Sequence, residues 1–108
     1  MLQPAQQKLL NADFTAAVSN HYGAQLAKIM RYGSDARGDG HEEPDVNYLV
    51  VLKDISPVSK VFRMSKIVRP IALRQNIDIS FRPYPLIKFT NETSAFLHRV
   101  RKEGKEIA

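Results

Sequence analysis

Alternating strand-like and helix-like patterns in a chain of 108 residues predict a small α/β fold, a mixed sheet covered by helices. Three observations carry that expectation. The segment "DVNYLVVL" (45–52) is too continuously apolar for an exposed edge strand. The segment "NIDISF" (76–81) sets Ile77, Ile79 and Phe81 against Asp78 and Ser80 with period two. Stretches with apolar residues spaced near 3.6 stand before, between and after these strands. The expected order is α–β–β–α–β–α, in one domain spanning residues 1–108.

Each element has its own grounds. Residues 4 to about 21 read as a helix, with Pro4 in the first turn and Leu9, Leu10, Phe14, Ala17 and Val18 as its apolar stripe. Gly23 breaks it, and "AQLAKIMRY" follows as a first strand. The second strand, 45–52, stops at Lys53-Asp54 and Ser56-Pro57. Val58 to about Ala72 forms the next helix, with Val58, Val61, Phe62, Ser65 and Val68 on one side and Pro70 expected to kink or end it. Pro83 and Pro85 should stop the third strand. A last helix, "ETSAFLHRVRKEGKEI", would be capped by Asn91 or Thr93 and bury Phe96, Leu97 and Val100.

Composition narrows the function. The chain has no cysteine, so disulfides and thiolate metal sites are excluded and a cytoplasmic setting is expected. Gln and Asn interrupt the N-terminal segment, which does not read as a secretory leader, and no apolar run is long enough for a membrane span. The net charge of +5 is uneven: residues 1–60 hold six Lys/Arg against seven Asp/Glu, residues 61–108 ten against four. Such asymmetry suits a polyanionic partner: nucleotide, nucleic acid or an acidic protein face. His21, His41 and His98 lack metal-ligand spacing. Tyr22 and Tyr84 are too scattered in sequence to suggest a base-stacking platform, and "HRVRKEGK" reads as a solvated face, so nucleic acid is a secondary candidate.

The chemistry concentrates in "YGSDARGDGHEEPDVNYLVVL" (32–52). Asp45 and Asn47, two apart in a strand, share a face. Asp78 is the one acid of its strand and joins them if the two strands are neighbours. Oxygen ligands on rigid strands suit magnesium, which takes one or two carboxylates plus phosphate oxygens. The Gly33-Ser34 turn offers backbone N–H groups and a hydroxyl to phosphate, and Arg37 can counter its charge.

"GSDARG", ten residues between Ser34 and Asp45, then D-x-N into an apolar strand, resembles the nucleotidyltransferase superfamily that includes DNA polymerase beta. It is most similar to the minimal nucleotidyltransferases, the MNT group, whose pattern is G-S-x10-D-x-D with G-S-x-A-R-G at the turn. Gly33, Ser34, Ala36, Arg37 and Gly38 match that turn, and Asp78 in "IDIS" matches a third carboxylate on a later strand. The resemblance implies a nucleotidyltransferase-like fold and magnesium-assisted transfer of a nucleoside monophosphate from a triphosphate to a hydroxyl. It also implies a helical HEPN-type partner in a toxin–antitoxin module, with AMP from ATP as the transferred group. No base-reading motif selects the nucleotide, and the oligomeric state is left open, a homo-oligomer included.

Asn47 departs from that pattern, because the second acid belongs there. Three acids would bring about −3 to the cluster, two bring about −2, and an amide oxygen coordinates without charge. Charge stabilisation is most of what a protein contributes to phosphoryl transfer. The sequence therefore carries two readings: a working transferase with Asp45, Asp78 and a weak ligand Asn47, or a degraded copy that binds nucleotide or partner without turnover.

Overall fold

Helices pack on both faces of a mixed sheet in the computed structural model, which describes residues 3–33, 45–53 and 58–108, with Asp45 and residues 58–63 described by backbone alone. The elements are α1 (Pro4–Tyr22), β1 (Leu26–Tyr32), β2 (Asp45–Leu52), α2 (Val58–Gln75), β3 (Asp78–Pro85), α3 (Leu86–Asn91), α4 (Ala95–Glu103) and β4 (Lys105–Glu106). Among the described residues the sheet has four strands in the order β3-β2-β1-β4. β2 runs antiparallel to β1 and parallel to β3. The expected α/β class and all six expected elements are present, with one helix, α3, and one strand, β4, more than expected.

β2 is central, and its composition explains why. Val46, Tyr48, Leu49, Val50 and Val51 are all fully buried, so both faces of the strand are covered. One face meets α1 and α2 through Leu10, Phe14, Val18, Met64, Val68 and Ile71. The other meets α3 and α4 through Phe89, Leu97 and Val100, with Leu49, Val51, Met30 and Tyr84 from the strands. The helical stripes differ slightly from expectation. Leu9 is exposed on α1, where Leu10, Phe14, Val18 and Tyr22 form the buried line. On α2 the buried line is Met64, Val68 and Ile71, with Ser65 exposed; the side chains of Val58, Val61 and Phe62 lie outside the described residues.

Two expectations about breaks are corrected. Pro70 does not end α2, which continues to Gln75. The proline is exposed, so the carbonyl it leaves unpaired one turn earlier, at exposed Lys66, is on the solvent side while Met64, Val68 and Ile71 hold the other. The helix stops instead at Asn76, whose φ of 53° is left-handed. Asn76 N–H donates to the Leu73 carbonyl and Ile77 N–H to the Ala72 carbonyl, a Schellman cap. Nor does Pro83 stop β3, which runs on to Pro85 and ends there as expected. It is an edge strand, and residues two apart direct their backbone groups to the same side, so both prolines place their missing donors on the free edge.

The C-terminal region also differs. Neither Asn91 nor Thr93 caps the last helix; Asn91 ends α3, and Ser94 Oγ accepts the Leu97 N–H at 3.2 Å. The helix ends at Glu103, and the segment after Gly104 is strand rather than helix. Ile29 N–H donates to the Ala108 carbonyl and Ile107 N–H to the Ile29 carbonyl, each at 2.9 Å, while Ile107 packs on the first core cluster. Gly104 permits this close return. A Cβ there would lie 2.4 Å from the Val100 carbonyl oxygen and 3.0 Å from that of Arg31. Gly104→Ala is expected to lower stability by about 1–3 kcal/mol, the usual cost of overpacking, as measured by urea denaturation.

Candidate functional site

The face of the sheet under α3 and α4 changes character along every strand. On β2 it runs from Val51 and Leu49 to Asn47 and position 45; on β3 from Tyr84 through Arg82 and Ser80 to Asp78; on β1 from Met30 to Tyr32 and then Gly33. The apolar ends lie under helices. The polar ends do not: Asp78 and Ser80 are exposed and Asn47 is half-buried. Strand pairing thus gathers the polar ends of three strands at one edge of the fold.

The register decides which residues meet. Asp45 pairs with Asp78, and Asn47 pairs with Ser80 on one side and Tyr32 on the other. The condition set by the sequence, that the second and third strands be neighbours, is met. Asp45 is described by backbone alone, so its place rests on the register, whereas Asp78 and Asn47 are described in full. Ser34 and Arg37 lie outside the described residues. The register thus sets positions 45 and 47 of β2 beside Asp78 and Ser80 of β3 on adjacent strands. Among the described side chains no three His, Cys, Asp or Glu converge on one point.

Gly33 and Asn47 fit one another. Gly33 has a φ of +101°, which side-chain-bearing residues rarely adopt. A Cβ on it would lie 2.8 Å from Asn47 Nδ2, so the amide occupies the space that the missing side chain leaves. An open groove of about 770 Å³ runs along the free edge of β3, lined by Ser65 and Arg69 of α2 and by Asp78, Ser80 and Phe81 of β3.

Sequence reasoning missed an aromatic cluster behind these residues. Tyr32 meets Phe96 edge-on at 5.5 Å, and Phe96 lies 6.2 Å from the Tyr84 ring. Arg82 stacks its guanidinium 4.6 Å from the Phe96 centroid and 5.5 Å from that of Tyr84. Positions 32, 82, 84 and 96 come from three elements, so no local pattern could announce them; the period-two alternation of Ser80, Arg82 and Tyr84 is the signal that was available. The Tyr84 hydroxyl donates to Glu92 Oε1 at 3.0 Å. Burial first, then that hydrogen bond and the Glu92 charge, raise the Tyr84 hydroxyl above the ordinary tyrosine value of 10.0, against the opposing charges of Arg82 and Arg101.

Comparison with known proteins bears on the fold. No family model matches the chain. A protein of Methanocaldococcus jannaschii, named "Putative protein adenylyltransferase MJ0141", is 28% identical over 95 residues, covering 88% of this chain and 92% of its own. A chain from a toxin–antitoxin complex solved with AMP-PNP superposes with a TM-score of 0.65 at 14% identity, covering 91% of this chain and 72% of its own. A chain from the complex of tri-AMPylated Shewanella oneidensis HEPN toxin with MNT antitoxin gives a TM-score of 0.60 at 16% identity, covering 94% and 71%. The fold is that of the nucleotidyltransferases. Within that class the chain is similar in fold to chains of these toxin–antitoxin complexes and in sequence to the M. jannaschii protein. No helix among the described residues is long and apolar enough to cross a membrane.

The raised hydroxyls give a pH expectation. Below pH about 10 the Tyr84 proton is held in folded and unfolded chains alike, and its contribution is constant. Above it the unfolded chain loses the proton first, so stability falls as pH rises. Tyr22, raised by burial, acts in the same direction. Tyr84→Phe is expected to reduce the alkaline loss of stability and leave the part due to Tyr22, as read from denaturation midpoints between pH 8 and 11.

Proposed function

We propose that the chain is a nucleotidyltransferase that moves AMP from ATP to a hydroxyl on a partner protein, a helical HEPN-type protein in a toxin–antitoxin setting. The observation that carries this reading is the register pair of Asp45 and Asp78 at the open ends of two parallel strands, beside the Gly33 turn. The name of the M. jannaschii relative and the AMPylated toxin in the Shewanella complex support AMP and a protein acceptor. The AMP-PNP of the other complex supports ATP as donor.

The residues divide the work. Gly33 and Ser34 seat the triphosphate through backbone N–H groups and a hydroxyl, and Arg37 neutralises it. Asp45 and Asp78, with the Asn47 amide oxygen as a weaker ligand, would hold magnesium, which when bound offsets phosphate charge and acidifies the acceptor hydroxyl. Asp78 borders the open groove, so the acceptor enters there and this carboxylate orients its O–H. The acceptor oxygen attacks the α-phosphorus, the bond to the bridging oxygen breaks, pyrophosphate leaves, and the hydroxyl proton passes to a base or water.

Asn47 favours a second reading. The amide is lodged against Gly33 and brings no charge to the cluster, which suits a protein that binds nucleotide or partner without turnover. Two measurements separate the readings. Calorimetry with ATP is expected to show magnesium-dependent binding that Asp45→Ala or Asp78→Ala weakens more than about tenfold, as loss of a charge-assisted contact does. No binding at millimolar ATP would remove the transferase reading. Transfer of radiolabelled AMP to the partner is expected from the natural chain and should change little in Asn47→Asp. Activity that arises only in Asn47→Asp would make the natural chain a binder.

A further inference from the structure

We infer that Arg82 is an anion-binding residue of this site, placed to take the polyphosphate of a bound nucleoside triphosphate; the inference rests on the nucleotide reading above. Arg82 is the register partner of Leu49, one step of two residues behind the Asn47–Ser80 pair and two steps behind Asp45–Asp78. It therefore shares the site's face of the sheet, about 13 Å along β3 from Asp78 by the rise of four strand residues. Along β3 the face reads acid, hydroxyl, cation, aromatic at residues 78, 80, 82 and 84.

What distinguishes Arg82 is how it is held. Its guanidinium lies over Phe96 and Tyr84, so its orientation comes from the two ring faces. Stacking uses the π surface of a guanidinium and leaves its in-plane N–H donors for another partner. Other arginines of the fold are employed differently. Arg101 also lies over a ring, that of Phe89, but donates to the Phe89 and Glu92 carbonyls. Arg74 pairs with Asp13 at 3.4 Å, and Arg31 is buried and donates to Asn11 Oδ1 at 3.1 Å. Among the described residues Arg82 has no carboxylate or carbonyl partner, and it is exposed. An oriented cation with open donors, facing the same side as the phosphate-seating turn, is built for a multiply charged oxyanion.

Its support ties it to that turn. Phe96 carries Arg82 on one side and packs edge-on against Tyr32 on the other, and Tyr32 immediately precedes Gly33. The Tyr84 ring is fixed in turn by its hydrogen bond to Glu92. Arg82 and the residue before Gly33 thus share one aromatic mount. Preset donors of this kind need little reorganisation when an anion binds.

The test is calorimetric titration of the natural chain, Arg82→Gln and Arg82→Lys with ATP, AMP and inorganic tripolyphosphate in magnesium buffer. Arg82→Gln is expected to weaken ATP and tripolyphosphate by about tenfold or more and AMP by less than about twofold. Arg82→Lys should recover part of the loss, because it restores charge without the planar fork, and it decides the matter if the Gln variant disturbs Phe96. Unchanged affinity for ATP and tripolyphosphate in both variants would overturn the inference and leave the transferase reading intact. Equal losses for ATP and AMP would place Arg82 on the nucleoside and overturn the polyphosphate assignment. If the natural chain binds tripolyphosphate through Arg82 but not ATP, Arg82 remains an anion-binding residue, and its assignment to a nucleoside triphosphate is overturned together with the nucleotide reading. If it binds neither, both fall.

Discussion

The parallel register between β2 and β3 is the constraint on which the rest of the site depends. It sets Asp45 opposite Asp78 and Asn47 opposite Ser80. A slip of one residue would turn Ile79 and Phe81 to the polar face and Asp78 toward α2, because side chains alternate along a strand. The core resists that slip, because Ile77 is buried and Ile79 and Phe81 pack on the cluster that holds Val46 and Tyr48. Tyr48 is wholly buried, its ring stacks on Phe14 at 3.9 Å and its hydroxyl donates to Asn11 Oδ1 at 2.7 Å. Arg31, the register partner of Tyr48 on β1, donates to the same oxygen. One asparagine of α1 thus aligns two strands, and freeing it would leave buried donors unsatisfied. Stability and site geometry are set here by the same contacts.

The parts legible in the sequence are those where one local pattern and one burial demand agree. β2 reads plainly because both its faces are covered, and β3 because Ile77, Ile79 and Phe81 alternate with polar residues. The pairing of Asp45 with Asp78 could be stated as a condition, since strand adjacency is not a local property. What escaped was tertiary override. Pro70 and Pro83 look like breaks, but one sits on a solvent-facing helix surface and the other on a free sheet edge, where a missing donor costs little. β4 has two residues and no periodicity; it exists because β1 offers an open edge and Ile107 reaches the core.

Asn47 links the fold to the charge balance of the site. A carboxylate at this position would add negative charge within reach of Asp45 and Asp78 and require a cation to offset it. The amide does not, and it can lie against the Gly33 backbone, where its nitrogen fills the space of an absent Cβ. Glycine with a φ of +101° and a neutral amide are complementary solutions to one packing problem. On the proposed reading the same exchange lowers the charge available to hold magnesium, so the residue that fits the turn well is the one that would weaken the cluster.

That balance shifts importance from metal to protein cations. On the proposed nucleotide reading, about −2 rather than −3 at the strand ends would give an incoming triphosphate less repulsion and less metal-borne attraction together. A fixed positive charge then matters more, and its effect depends on being held in place rather than on being strong. Lysines on mobile stems supply charge but not position, whereas a guanidinium laid over two rings supplies both. Arg82 meets this requirement without using a carboxylate partner, which would have cancelled its charge. The excess of positive charge in residues 61–108 gains a structural meaning from this arrangement. Part of that half is committed to holding the fold, as with Arg74 and Arg101, and part is presented, oriented and open, at the site's own face.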